Sequence, residues 1–342
     1  MAERLGQAGL STFAVVWGRQ LEPEYGFAQG FDEYFTHEVK TDGDRLAKTL
    51  ELARAAKKPF FGYVHIEGCH LPFPKRDRHA AYMAEHAIPY DEKARIDEGV
   101  DVAQGTLVFD INQGGLPLND DDARFLDLTY QAKTRRMDEE FVRPLLDGLA
   151  ENDLDDNLIL IFTADHGEEL YEHGKYGHSQ ALWDEIVHVP LLVRFPTGKR
   201  PEGLPKTVDL PTQQIGLLPS LLALVGQPAD PALPGSNILS GDTPAYAVTE
   251  MSPIWGARGY AIIEGDYKLL HMGGGNHLSN LKEDPGEKEN LAAAEAGRAA
   301  FLSAKALSMK RHFNEMQSSA PEVNVELDPK AVEQLRALGY ME

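Results

Sequence analysis

The chemistry-bearing residues crowd into one polar insert. Two apolar runs, Leu158–Phe162 and Val189–Phe195, enclose a segment that carries His166, His173 and His178 among its histidines. Asp165 directly precedes His166, and Gly167 and Glu168 follow. A carboxylate and an imidazole side by side suit a metal-ligand pair, and the glycine lets the chain turn sharply beside them. An isolated Asp-His-Gly is equally well read as a helix-capping Asp next to an exposed His.

The elements around the insert place it. A short continuous apolar run rich in Ile, Val and Phe predicts a strand buried on both faces, so Asp165–Glu168 falls where a central strand ends. In open α/β sheets, ligands bind in the crevice beyond the carboxyl ends of the strands. Apolar residues at helical spacing (Phe125, Leu128, Ala132, Met137, Phe141, Leu145, Leu149) predict one long helix over 123–151. With the acidic turn 151–157 and the apolar strand, that helix makes half of a βαβ unit and predicts a mostly parallel sheet.

Upstream, a helix is expected over 2–9, a strand over 11–17, a helix over 42–56 stopped by Pro59, and a strand over 60–66. His70 follows that last strand, and a histidine is the most economical general acid or base near neutral pH. His65, inside the strand, reads as a satisfied core histidine. Residues 75–125 are polar and irregular, either shaping a substrate mouth or disordered. Asp120-Asp121-Asp122 lacks the alternation and glycine of a hand-type calcium loop and reads as a helix cap.

Downstream, 210–226 predicts a helix, and the Pro- and Gly-rich stretch 227–242 a linker, dividing the chain into 1–226 and 227–342. Strands follow over 245–249, 258–263 and 267–271, with a hairpin loop at Glu264-Gly265-Asp266. Gly273-Gly274-Gly275 is followed by no Lys-Ser/Thr and no helix, so it too reads as a hairpin.

A formal charge of −21 argues against nucleic acid as partner and requires local positive charge, such as a metal ion, wherever an anion binds. No apolar run approaches the ~20 residues of a membrane span. A single cysteine, Cys69, excludes an internal disulfide and a thiolate zinc cluster.

In series, Thr163-Ala164-Asp165-His166-Gly167-Glu168, Glu172-His173-Gly174, His178, Trp183-Asp184-Glu185 and Val189-Pro190-Leu191-Leu192-Val193-Arg194 resemble the late metal-binding segment of the sulfatases of the alkaline-phosphatase superfamily. Met1–Leu10, the aromatic loop Glu24–Phe35, His70-Leu71-Pro72-Phe73, Asp284–Leu291 and Leu327–Tyr340 resemble further family segments. The 276–281 loop departs from the pattern. The resemblance implies an α/β, alkaline-phosphatase-like, mostly parallel sheet between helices, with a small C-terminal antiparallel-sheet subdomain.

It also implies hydrolysis of a small-molecule or carbohydrate sulfate ester with a divalent metal, calcium first, manganese or zinc as alternatives. Asp165 and His166 take the metal-ligand positions. His70 takes that of a residue that protonates the leaving group or binds the ester, and His178 that of a sulfate-binding group, with Lys175 as the weaker candidate. His173 is expected to be structural. The family's formylglycine comes from a Cys/Ser-x-Pro-x-Arg motif absent from this sequence, and Cys69 cannot supply it. The chain therefore resembles a sulfatase without its front segment, in which any export signal would lie, and no turnover is expected of it alone. A phosphoesterase or phosphonate monoester hydrolase of the same superfamily, and a non-catalytic remnant or binding protein, stay open as alternatives.

Overall fold

A computed structural model describes residues 1–57, 59–70, 84–85, 111–178, 180–240, 246–251 and 259–318. Two of the sequence readings fall mainly outside them: the irregular stretch after His70, and the Leu327–Tyr340 segment.

The core opens with helix α1 (Ala2–Gln7), strand β1 (Ser11–Val15), strand β2 (Glu33–Phe35), helix α2 (Asp42–Ala55) and strand β3 (Phe60–Val64). The three strands form a parallel sheet in the order β2-β1-β3. Thr41 caps α2 by accepting from the Asp44 backbone N–H, while the Asp44 carboxylate accepts from that of Thr41. This reciprocal cap starts the helix at a definite residue, so its apolar stripe meets the sheet. Phe13 and Val15 of β1 pack with Leu52 and Ala53 of α2 and with Leu149 and Leu154.

The long helix expected over 123–151 is present with an interruption. Helix α3 (Asp120–Met137) passes through one π turn (Asp138–Val142) into helix α4 (Arg143–Glu151). Pro144 has no N–H and crowds the preceding turn, which is where a helix widens. The acidic run is a cap as expected: the Asn119 side chain accepts from the Asp122 N–H at 2.8 Å, and the Asp122 carboxylate accepts from the Asn119 N–H at 3.1 Å.

Strand β4 (Leu160–Thr163) precedes Asp165, and strands β5 (Glu169–Leu170) and β6 (Tyr176–Gly177) form a short hairpin after it. Helix α5 (Asp184–Val187), strand β7 (Leu191–Arg194) and helix α6 (Leu217–Leu224) follow. The two long apolar runs meet each other: β4 pairs antiparallel with β7, Leu160 opposite Arg194 and Thr163 opposite Leu191. Among the described residues β4 does not hydrogen-bond into the β1–β3 sheet, so the half-βαβ reading does not extend to it. Nor are these strands buried on both faces. Thr163 is exposed and Leu192 is 63% exposed.

The C-terminal part is an antiparallel meander of β8 (Tyr246–Met251), β9 (Gly259–Glu264), β10 (Tyr267–Met272) and β11 (Gly275–Asn280), covered by helix α7 (Ala296–Ser318). Both expected hairpins are there. Gly265, and the pair Gly273–Gly274, adopt the positive φ that such tight turns require. The segment 276–281, read as a loop, is largely strand β11, held in register against β10. Period-two alternation divides the sheet: Ile262, Leu269 and Leu278 face α7, while Ala261 and Leu270 pack with Leu182 and Met251. Ile238 and Leu239, inside the stretch expected to be a linker, pack with Leu204 and with β7. Among the described residues no helix is long and apolar enough to cross a membrane.

Candidate active site

Three segments deliver the histidines. Past β1 and β3 the parallel ladder runs on for two further bonds, His65 N–H to Val15 O and Trp17 N–H to His65 O, both 2.9 Å. This carries the chain in register into the turn Glu67–His70, where the His70 N–H donates to Glu67 O. Helix α3 fastens that turn. Lys133 donates to the His70 carbonyl and lies 3.6 Å from the Glu67 carboxylate, and Cys69 Sγ lies 3.1 Å from Thr134 Oγ1. Burial raises the Cys69 thiol pKa, so this cysteine is a packing group rather than a ready thiolate.

Asp165 and His166 leave the end of β4. The chain then turns so tightly that the Gly167 N–H donates to Ile186 O at 2.8 Å. A Cβ on Gly167 would lie 2.0 Å from the Glu185 carbonyl oxygen. Only glycine lets this strand end rest on α5.

The β5–β6 hairpin then returns His178 to His166. Glu169, fully buried, holds the hairpin loop by accepting from the backbone N–H groups of His173 and Lys175. Asn112 clamps Tyr176 from above through both of its backbone groups. Burial raises the Glu169 pKa despite those two donors.

His70, His166 and His178 thereby converge. Ring centroids are 4.0 Å apart for His166–His178, 4.9 Å for His70–His178 and 5.8 Å for His70–His166. One ligand atom from each ring lies within 4.8 Å of those of the other two. The Asp165 carboxylate stands 3.8 Å from His166 Nε2 and also 3.8 Å from His65 Nε2. Trp17 packs against both His65 and His70.

The charges are set by neighbours. Burial alone would lower the His178 pKa, but the Glu168 carboxylate, bonded to Nδ1 at 3.1 Å, and the charge of Asp165 outweigh it and raise the pKa above its ordinary value. Asp165 is pushed up by burial and pulled well below the usual carboxylate range by His65 and His166. Asp165 is therefore an anion, and His178 keeps its proton to higher pH than an isolated imidazole.

Sequence reading and geometry differ at several residues. His65 lies just beyond β3; its Nδ1 donates to Trp17 O at 2.9 Å, but its Nε2 faces Asp165, so it belongs to the site's edge and not only to the core. The ammonium of Lys175 donates to the Asn112 carbonyl. His173 stacks on Trp183 at 4.1 Å with Nδ1 3.8 Å from Glu185, in line with a structural part. Glu168 was missed as a functional residue. Its place in the Asp-His-Gly-Glu string was visible, but nothing local in the sequence pairs it with His178.

Calcium does not fit the donors seen. It takes about six to eight oxygen ligands, whereas the one clustered set among the described residues is three imidazoles, with Asp165 the nearby carboxylate. A cavity of about 540 Å³ opens on the far side of Trp17, lined by Glu22, Thr36, His37 and Arg45. It touches none of the three histidines, so the clustered rings and not this cavity mark the candidate site.

The α/β core gathers histidines beside an acid at its strand ends, with a meander subdomain behind. The sulfatase family profile matches residues 8–227, and the chain belongs to that family. It is 28% identical over 282 residues to the uncharacterized sulfatase YidJ of Escherichia coli K12, covering 77% of this chain and 53% of YidJ. It is 25% identical over 162 residues to arylsulfatase K of Canis lupus familiaris, covering 42% of this chain and 29% of that protein. The matched stretch thus spans about half the length of the first relative and less of the second. Among solved structures, BT4656, in complex with its substrate D-glucosamine-2-N,6-O-disulfate, superposes with a TM-score of 0.66 at 18% identity, covering 94% of this chain and 83% of that one. Phosphonate monoester hydrolase SpPMH of Silicibacter pomeroyi gives 0.60 at 18% identity, covering 91% and 79%. These likenesses show the fold alone.

Proposed function

We propose that the chain carries the leaving-group and anion-binding half of a sulfuric ester hydrolase site, acting on a sulfated small molecule or carbohydrate. One observation supports this above the rest: His178, its Nδ1 3.1 Å from the Glu168 carboxylate that raises its pKa, stands in ring contact with His70 and His166 at the strand ends. A sulfate monoester is an anion, and in a chain of net charge −21 it needs such a fixed cation to settle against. His178 supplies that charge. His70, 4.9 Å away between ring centres, takes the part of the group that protonates the departing oxygen. Asp165 and His166 are the chain's contribution to a divalent-cation site, but two donors do not complete one, and no step is routed through it. Lys175, already donating to the Asn112 carbonyl, is the weaker candidate for the anion.

The 342-residue chain alone is expected to bind sulfate without meaningful turnover, since nothing in it supplies the family's nucleophile motif. Titration of an aryl sulfate and of inorganic sulfate, followed by NMR of the histidine rings, tests the reading. His70 and His178 signals should shift, and His178→Ala should weaken binding by about tenfold, the scale of one charge-assisted hydrogen bond. Unshifted rings would overturn it. SpPMH has the same fold, so a phosphonate monoester is the second arm of the assay; tighter binding there favours phosphoester chemistry. Binding of neither anion favours a non-catalytic protein.

A further inference from the structure

We propose that the cavity beyond Trp17 is a second binding site, for a hydroxylated ring carboxylate of the size of a sugar acid, with Arg45 as the group that holds its carboxylate. The inference goes beyond the hydrolase reading and stands without it.

The cavity's place in the fold is the first argument. Trp17 follows strand β1, Thr36 and His37 follow β2, and Arg45 stands in the first turn of α2. The space therefore lies past the carboxyl ends of two neighbouring parallel strands, where open α/β sheets receive ligands. Its volume of about 540 Å³ exceeds what a bare ion fills and suits a small organic molecule.

An unanswered donor is the second argument. Arg45 is only 4% exposed, yet its Nε finds no hydrogen-bond partner among the described residues. A buried donor left unpaired is costly, and such a group in a folded protein calls for a partner. Nη1 of the same side chain donates to the Asp42 carboxylate at 2.6 Å. That leaves the edge formed by Nε and Nη2 for a ligand, and two parallel N–H groups on a planar fork match the two oxygens of a carboxylate. The exposed Lys40, also on the cavity wall, adds a second positive charge.

The remaining walls narrow the ligand. Glu22, nearly buried, lines the cavity with His37 Nε2 3.5 Å from its carboxylate. An ionised carboxylate only accepts hydrogen bonds, so Glu22 disfavours a plain anion and favours a molecule that brings hydroxyl donors. Thr36 meets a further hydroxyl as donor or acceptor. The Trp17 indole, which also packs against His65 and His70, gives a flat aromatic wall for the C–H groups of a ring. A carboxylate for Arg45, hydroxyls for Glu22 and Thr36, and a ring face for Trp17 together describe a sugar acid.

The test uses the purified chain with sodium glucuronate as probe, and glucose and benzoate beside it. Calorimetry should give one glucuronate per chain, and the Trp17 indole N–H signal should shift in NMR. Glucose, lacking the carboxylate, and benzoate, lacking the hydroxyls, should each bind at least about tenfold more weakly. Arg45→Lys keeps the charge but not the fork and should weaken glucuronate about tenfold. Lys40→Ala, at an exposed position where folding is not at stake, should weaken it about threefold. His178→Ala should bind glucuronate as wild type does, and Arg45→Lys should leave any sulfate-induced shift of the His70 and His178 rings in place, so either site can fail without the other. Absence of glucuronate binding, equally tight glucose or benzoate, affinity unchanged in both folded Arg45→Lys and Lys40→Ala, or binding lost in His178→Ala would each overturn the proposal.

Discussion

A histidine that is to meet an anion at neutral pH must keep its proton against the desolvation that surrounds it. Burial would lower the His178 pKa, but Glu168, almost fully buried, places its carboxylate 3.1 Å from Nδ1 and raises it. Removing that carboxylate leaves burial in charge. In Glu168→Gln the His178 pKa, read by NMR titration, should fall from above the ordinary value near 6.5 to below it. The stability consequence has a definite sign. A group whose folded pKa is raised adds stability that is full below the unfolded value and is lost as pH rises through the folded one. The melting-temperature gap between wild type and Glu168→Gln should therefore be widest below pH 6.5 and narrow as pH climbs past the raised His178 value. A gap that widens with pH would contradict the assignment. Residue types were readable where position or resemblance singled them out: Asp165 and His166 at the end of an apolar run, His70 after a strand, and His178 by the family resemblance of its flanks. The roles of Glu168 and His65 were not, since they come from partners ten and one hundred residues away, reached only through the hairpin and the ladder.

Elements were readable in type and poorly readable in pairing. Apolar runs announce strands, but they carry no direction, so nothing in Leu158–Phe162 or Val189–Phe195 states that β4 and β7 lie antiparallel. Strand β11, rich in Asn, Ser and His, has little propensity of its own and is strand because β10 holds it. The π turn came from Pro144 inside an otherwise regular period. The joint that matters most is that between β4 and α5, where Gly167 lies against the helix backbone. Gly167→Ala puts a methyl 2.0 Å from the Glu185 carbonyl oxygen, and backbone cannot step aside as a side chain can. The expected cost is about 3 kcal/mol, the upper end for overpacking, measured by denaturant unfolding. Gly43→Ala, in α2 with its nearest neighbour 3.7 Å away, should be neutral to stabilising by comparison. Equal losses at both positions would show that close approach is not what glycine serves at 167.

At the scale of the whole molecule, the C-terminal meander braces the site from behind. Trp183, beside α5, is stacked on one side by His173 from the β5–β6 hairpin and met edge-on by His277 from β11. Lys288 donates to the Glu172 carbonyl of the same hairpin loop. Deepest is Lys268 of β10, fully buried, with its ammonium 3.0 Å from Asp184 and 2.9 Å from Glu287, whose carboxylate also accepts from the Asp184 N–H at 2.7 Å. Burial raises the Glu287 pKa in spite of Lys268, the mark of a pair whose desolvation is only partly repaid. Lys268→Met strands two carboxylates and should cost about 3–5 kcal/mol. Lys268→Met with Glu287→Leu removes the buried charge with its partner and should recover much of that loss, though not the bond to the Asp184 N–H. Because Asp184 begins the helix on which Gly167 rests, the single variant should also perturb the His166 and His178 ring signals. Calorimetric unfolding of wild type, Lys268→Met, Glu287→Leu and the double variant, with NMR of the histidines in the folded state, decides it: additive losses, or unmoved histidines in Lys268→Met, would mean that the meander is an appendage and not the support of the site.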